Sequence, residues 1–128
     1  MLFHTVGDYQ MFANERDNKN YDIFVGGWFS DYNDPLDFLN IMKTGVYDSY
    51  GLYSNSEYDS LIDSLPEEDN AKRLEIYQKL EDLLVAQDCG VAPLYYSDKH
   101  YYYQNWVKDF YTSSFGASQE LYRASVQK

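Results

Sequence analysis

The sequence predicts an α/β chain of the mixed α+β kind, a mixed sheet with helices packed on it. Three observations carry that expectation. Short β-prone runs alternate with stretches of helical apolar spacing, in the order strand, helix, strand, helices, strands. Each helical stretch opens on a capping residue and closes on a breaker. The 128 residues are 45% hydrophobic, which fits one folded domain over 1–128 and excludes a disordered chain.

Leu2 to Val6 is a short β-prone run. From Gly7 to Asn18, apolar Tyr9, Phe12 and Ala13 fall on one helical face, and Asn18-Lys19-Asn20 reads as the turn that ends it. Tyr21 to Val25 reads as a strand covered on both faces. Gly26 and Gly27 leave room for another backbone to approach its end. Trp28 and Phe29 continue it, and Asp31 to Pro35 turns the chain. Asp34 stands as N-cap with Pro35 at the first helical position, opening a short helix that ends near Gly45.

Val46 to Ser54 is a loop rich in Tyr, Ser and Gly. Ser56 is the expected cap of the next helix, with Tyr58, Leu61, Ile62 and Leu65 on its apolar face and Pro66 as its stop. Asp69 or Asn70 opens the longest helix, reaching about Gln87. Its expected stripe is Leu74, Tyr77, Leu80 and Leu84, joined by Ile76. An outer Glu75–Lys79 pair at i, i+4 is expected to add ~0.3 kcal/mol. Beyond Gly90, Val91 to Tyr96 reads as a strand with Pro93 at an edge. Ser97 to Lys99 turns the chain, and Tyr101 to Gln104 returns. Trp106 to Tyr111 is a packed connection, and Leu121 to Val126 a final strand.

Composition excludes several functions. A formal net charge of −11 argues against a nucleic-acid partner, which needs clustered Lys and Arg. The single cysteine, Cys89, permits no internal disulfide and is expected to be a packed thiol beside a turn. Two histidines, His4 and His100, are too few for a zinc site, so no metal and no cofactor is expected. No apolar run approaches the ~20 residues of a membrane span, and the start lacks the pattern of a signal peptide. Fifteen tyrosines suit sheet surfaces, and also interfaces and clefts.

The most distinctive stretch is Gly26 to Pro35, GGWFSDYNDP. On spacing alone Asp31 reads as an Asx-turn or loop cap, and Trp28 equally as core anchor or pocket wall. A carboxylate-based hydrolase using Asp31 with Asp34 is conceivable chemistry, but no nucleophile or oxyanion motif accompanies them. Arg16 reads as an exposed helix-end arginine.

The stretch and its surroundings resemble the extracytoplasmic oligopeptide- and dipeptide-binding proteins of ABC importers, solute-binding protein family 5. The resemblance rests on Tyr21-Asp22-Ile23, Gly27-Trp28, Asp31-Tyr32-Asn33-Asp34-Pro35 and Phe38-Leu39. It continues through Tyr58-Asp59, Leu61-Ile62, Arg73, Tyr77, Leu80-Glu81, Leu84, Ala92-Pro93-Leu94-Tyr95 and Trp106-Val107. The W-x-x-D-Y-x-D-P core is its specific part.

The resemblance implies most of one lobe, the C-terminal one, of a two-lobed periplasmic-binding-protein-like fold, incomplete relative to the full family. The chain would then be a truncated product or a gene fragment. It also implies a peptide ligand, a partner in the missing N-terminal lobe of the same parent, an ABC permease, and an extracytoplasmic parent, periplasmic or membrane-anchored. Asp31 would bind the peptide's α-ammonium, Gly27 and Phe29 would pair with its main chain, and Trp28 would line a side-chain pocket. No catalysis is expected.

Two departures bear on ligand length. Val25 stands where some members carry an arginine for the peptide C-terminus. Tyr95 and Tyr96 are followed by Ser97 where some carry a third aromatic. Longer peptides are therefore expected. The alternative function is a stand-alone tyrosine-rich interaction domain acting by self-association as a homodimer.

Overall fold

The computed structural model describes residues 8–46, 52–116 and 119–127. The Leu2–Val6 run and most of the Val46–Ser54 loop lie outside the described residues. The elements are α1 (Tyr9–Asp17), α2 (Leu36–Leu39), α3 (Ser56–Ser64), α4 (Asn70–Glu81), β1 (Val107–Lys108), β2 (Tyr111–Thr112), β3 (Gln119–Glu120) and β4 (Ser125–Val126). A 3₁₀ turn, Asn40–Met42, extends α2, and another, Leu65–Glu67, extends α3; a π turn, Asp82–Gln87, extends α4.

The helices start where capping chemistry allows. The Asp8 carboxylate accepts the Gln10 N–H at 2.7 Å and the Met11 N–H at 3.3 Å, satisfying donors that α1 leaves free. Lys19, at φ 58°, reverses the chain after α1. The cap of α3 is Asn55 rather than the expected Ser56. Its Oδ1 accepts from Glu57 N at 2.8 Å and Tyr58 N at 3.1 Å, while its Nδ2 reaches the Asp88 carboxylate at 2.7 Å. Its amide oxygen and nitrogen thus serve the helix start and Asp88 at once. Asp69 caps α4, accepting from Lys72 N at 2.9 Å.

The core is helical. Leu39 and Met42 from the first segment meet Tyr58, Ile62 and Leu65 from the second. Ile76, Tyr77 and Leu80 from α4, with Leu83 and Leu84 from its π turn, complete the cluster. Tyr58, Leu65 and Leu80 are fully enclosed. The Tyr58 hydroxyl donates to the Leu39 carbonyl at 2.8 Å, so the buried phenol keeps a partner. Leu74, placed in the buried stripe from the sequence, is 59% exposed. The stripe instead runs through Ile76, Tyr77 and Leu80 into the wider π turn. Nor do Glu75 and Lys79 pair: Lys79 Nζ lies 2.7 Å from Glu57 and Glu75 takes Lys72 at 2.9 Å. A carboxylate on the neighbouring helix outcompetes the one a turn away.

At the end of the π turn Cys89 adopts φ 51°, and the Gly90 N–H returns to the Leu84 carbonyl at 2.8 Å. The thiol is exposed, not packed as expected. A side chain on Gly90 would meet the Tyr53 ring at 2.6 Å, so glycine is required there for the ring to cover the turn.

The β content is small. β1 pairs antiparallel with β4, Val107 opposite Val126, and β2 pairs antiparallel with β3, Tyr111 opposite Glu120. The final strand is thus confined to Ser125–Val126, and the expected packed connection from Trp106 supplies β1. Tyr21–Val25, Val91–Tyr96 and Tyr101–Gln104, all expected as strands, form no ladder among the described residues. Their β-prone side chains find no neighbouring strand, and propensity without cross-strand contacts does not make a sheet. The Tyr21–Val25 segment is fixed through side chains instead. Phe24 stacks on Phe12 of α1 at a centroid distance of 5.3 Å and contacts Tyr21 at 5.5 Å.

Candidate functional site

The Gly26–Pro35 stretch leads from Phe24 to α2, and each of its residues has a distinct local cause. A side chain on Gly26 would meet the Phe24 ring at 2.3 Å, so glycine there lets Phe24 fold back onto Phe12. Gly27 faces open space, with nothing within 4 Å of where a side chain would begin. Among the described residues the backbones of Gly27 and Phe29 take no hydrogen bond. This segment therefore presents main-chain donors and acceptors to solvent. The Phe29 ring is 62% exposed, with Lys99 Nζ 4.3 Å from its centroid. Ser30 is tied to the distal loop by the Gly116 N–H, which donates to its carbonyl at 2.8 Å. Gly116 itself has φ +61° and lies close under the Asp31 carbonyl.

Asp37 organises the middle of the stretch. It is a buried carboxylate, 6% exposed, whose Oδ2 accepts the Trp28 indole N–H at 3.0 Å and the Asp31 backbone N–H at 2.9 Å. Trp28 is accordingly half-buried, with its polar edge turned inward to the carboxylate. The Asp31 carboxylate points the other way. It is exposed, and among the described residues no group donates a hydrogen bond to it. The Asx-turn role open to Asp31 from spacing falls to Asp34, whose Oδ1 accepts the Leu36 N–H at 2.8 Å.

Asp34 also locks the stretch to α4. Arg73 Nη2 lies 2.9 Å from Asp34 Oδ2, and the Tyr77 hydroxyl donates to Asp34 Oδ1 at 2.6 Å. Arg73 also reaches the Tyr77 oxygen at 2.6 Å and the Leu65 carbonyl at 3.0 Å. Burial pushes the Asp34 carboxyl up. The Tyr77 hydroxyl, the Leu36 N–H and the Arg73 charge outweigh it and hold the group below the usual carboxylate range. Tyr77 moves the opposite way, to about 12, through burial first and then its bond to the Asp34 anion. The Tyr32 phenol is raised by burial and then by the charges of Asp37, Asp34 and Asp31. Three carboxylates thus converge, but one is matched by Arg73 and one by internal N–H donors. Only Asp31 presents its charge outward.

The expected site residues Gly27, Trp28, Phe29 and Asp31 occupy one short segment, as their sequence proximity requires. Asp34 and Pro35 shape the turn as expected, but the cap position of α2 is Pro35 rather than Asp34, and the helical segment ends at Met42 rather than near Gly45. Arg16, expected to be exposed, is half-buried and pairs with Asp17 at 2.7 Å. Sequence reasoning missed Asp37. Its one signal is a third acid in register with Asp31 and Asp34, ambiguous in so acidic a chain. It placed Tyr77 in the buried stripe but foresaw neither its bond nor that of Arg73 to Asp34, since that partner lies 39 and 43 residues away. No group of three or more His, Cys, Asp or Glu able to hold a metal ion occurs among the described residues.

The fold and the sequence are similar to part of known peptide-binding receptors. The chain is homologous to a segment of the extracytoplasmic peptide-binding proteins of ABC importers, solute-binding protein family 5, as the motif resemblance implied. It is 32% identical over 101 residues to the periplasmic oligopeptide-binding protein OppA of Salmonella typhimurium, covering 78% of this chain and 18% of that protein. It is 30% identical over 105 residues to the oligopeptide-binding protein OppA of Bacillus subtilis, covering 80% of this chain and 18% of that one. Among solved structures it matches the pheromone receptor PrgZ, described with its mode of peptide binding. That match has a TM-score of 0.78 and 27% identity, over 97% of this chain and 24% of the receptor. The chain therefore spans about a fifth of the length of these curated relatives. No family model matches it.

Proposed function

We propose that this chain is a single domain, 1–128, forming most of the C-terminal lobe of an ABC-importer substrate-binding protein, and that Gly26–Pro35 grips peptides by main chain and N-terminal amine. The observation that carries this reading is the outward, unpartnered Asp31 carboxylate beside the open backbone of Gly27 and Phe29. A receptor for peptides of varied sequence must hold what all peptides share. Extended main chain pairs with unladdered backbone, and an α-ammonium pairs with a carboxylate through a charge-assisted bond. Trp28, its indole N–H held by Asp37, would line a side-chain pocket for the peptide. The role is binding, with no turnover. The other partners are the N-terminal lobe of the parent and its permease, and the parent is extracytoplasmic. The periplasmic names of several relatives support that location. No helix among the described residues is long and apolar enough to cross a membrane.

The test is NMR titration of the chain with trialanine and with N-acetyl-trialanine. The free amine is expected to shift the Gly27, Phe29 and Asp31 amides at millimolar concentration, corresponding to ~4 kcal/mol of binding. Acetylation, or Asp31→Asn, is expected to weaken the response about tenfold, the loss of one charge-assisted bond. Absence of any shift at millimolar trialanine, or equal response to both peptides, overturns the reading.

A second reading is favoured by the exposed apolar side chains of the unladdered segments. Ile23, Val25, Leu94 and Tyr95 are each at least 70% exposed. Such surface seeks a cover, and the other lobe or a second copy of this chain would supply it.

A further inference from the structure

We infer that Asp37 is the positioning residue of peptide capture, fixing the pocket wall Trp28 and the ammonium acceptor Asp31 in one relation through a single carboxylate oxygen. The inference rests on the reading of Asp31 given above. Both side-chain hydrogen bonds of Asp37 go to the recognition stretch: Trp28 Nε1 at 3.0 Å and Asp31 N at 2.9 Å, on the same Oδ2. A buried carboxylate is costly unless N–H donors meet it, and the donors that do so here are the residues whose geometry matters for a ligand. The other acid of the turn, Asp34, is occupied by Arg73, Tyr77 and Leu36 and cannot take over the role. Asp37 lies on α2 and touches no ligand in this scheme. It acts through Trp28 and Asp31, holding a ring edge and a main-chain amide so that the Asp31 side chain projects outward.

The experiment uses the 128-residue chain, ¹⁵N-labelled, titrated with trialanine and its N-acetyl form, with the Trp28 indole N–H resonance followed in parallel. Far-UV circular dichroism establishes that each variant is folded. Asp37→Ala and Asp37→Ser are expected to move the indole resonance to the position of a water-exposed indole. They should also cut trialanine affinity about tenfold, towards that of the acetylated peptide. Asp37→Asn keeps a carbonyl acceptor at the same reach. It is expected to restore the indole resonance and most of the free-amine preference. If the alanine and serine variants fold and keep wild-type preference for trialanine, the inference is overturned. If neither folds, the asparagine variant decides: a displaced indole with unchanged preference also overturns it. Asp31→Asn separates the two levels of the argument. No effect of Asp31→Asn overturns the underlying reading of the site, whereas a loss there with neutral Asp37 variants overturns the role of Asp37 alone.

Discussion

Asp34 is the residue whose chemistry most directly couples the Gly26–Pro35 stretch to the helical core. Its carboxyl is held low in the folded chain, so folding favours its ionised form. The stabilisation is complete above the unfolded value, about pH 4, and is lost as pH falls through the depressed folded value. Tyr77 shows the opposite sign. Raised from 10.0 to about 12, it contributes stability that is fully present below pH 10 and lost as pH rises towards 12. Tyr77→Phe removes the hydroxyl common to both effects. It is expected to lower stability by about 1 kcal/mol at neutral pH and to shrink the loss of stability both below pH 4 and above pH 10. Urea unfolding of the two proteins across that range, followed by circular dichroism, checks it. Parallel curves for wild type and variant would show that the Asp34–Tyr77 bond is not the pH-linked contact.

At helix caps a shift of one residue has large consequences. Asn55 satisfies two donors at the start of α3 and also ties that start to Asp88 at the end of the π turn. Tyr53 joins at the same carboxylate, at 2.7 Å, and its bond followed by that of Asn55 lowers the Asp88 pKa. Asn55→Ala is expected to cost about 1–2 kcal/mol, and Ser56→Ala only a few tenths. Thermal denaturation of the pair measures the difference, and a larger effect at Ser56 would contradict the assignment of the cap. Gly26 makes a comparable case in the Gly26–Pro35 stretch. A methyl there collides with the Phe24 ring, so Gly26→Ala is expected to displace Phe24 from Phe12 and destabilise by about 1–3 kcal/mol. The same change at Gly27, which faces open space, is expected to leave stability within about 0.5 kcal/mol. Chemical denaturation of the two alanine variants distinguishes these positions.

Across the whole molecule the apolar surface is unevenly closed. The helices α2 to α4 bury a continuous cluster, but the β-prone segments on either side leave large rings and branched chains in water, Tyr96 and Tyr102 almost completely. A chain with that surface is expected to associate with itself as concentration rises, despite the repulsion from a net charge of −11. Light scattering over a concentration series, at low and at moderate salt, should show mass increasing with both variables as repulsion is screened. A constant monomer mass at the highest concentration would rule out self-association.

The sequence by itself determined what local chemistry controls. The helices over Tyr9–Asp17, Ser56–Ser64 and Asn70–Glu81 were legible because caps, breakers and apolar spacing act within a few residues of each other. The order of Gly27, Trp28, Phe29 and Asp31 was equally legible, since a linear motif survives without knowledge of the fold. Tertiary structure alone decided what each polar group in that motif meets. Asp34 pairs across 39 residues with Arg73, and Asp37 rather than a core contact receives the Trp28 indole. It also decided that Tyr21–Val25 and Val91–Tyr96 form no ladder among the described residues. The reason is physical. A helix satisfies its own backbone from within, whereas a strand or a buried carboxylate depends on partners that only the closed fold brings into reach.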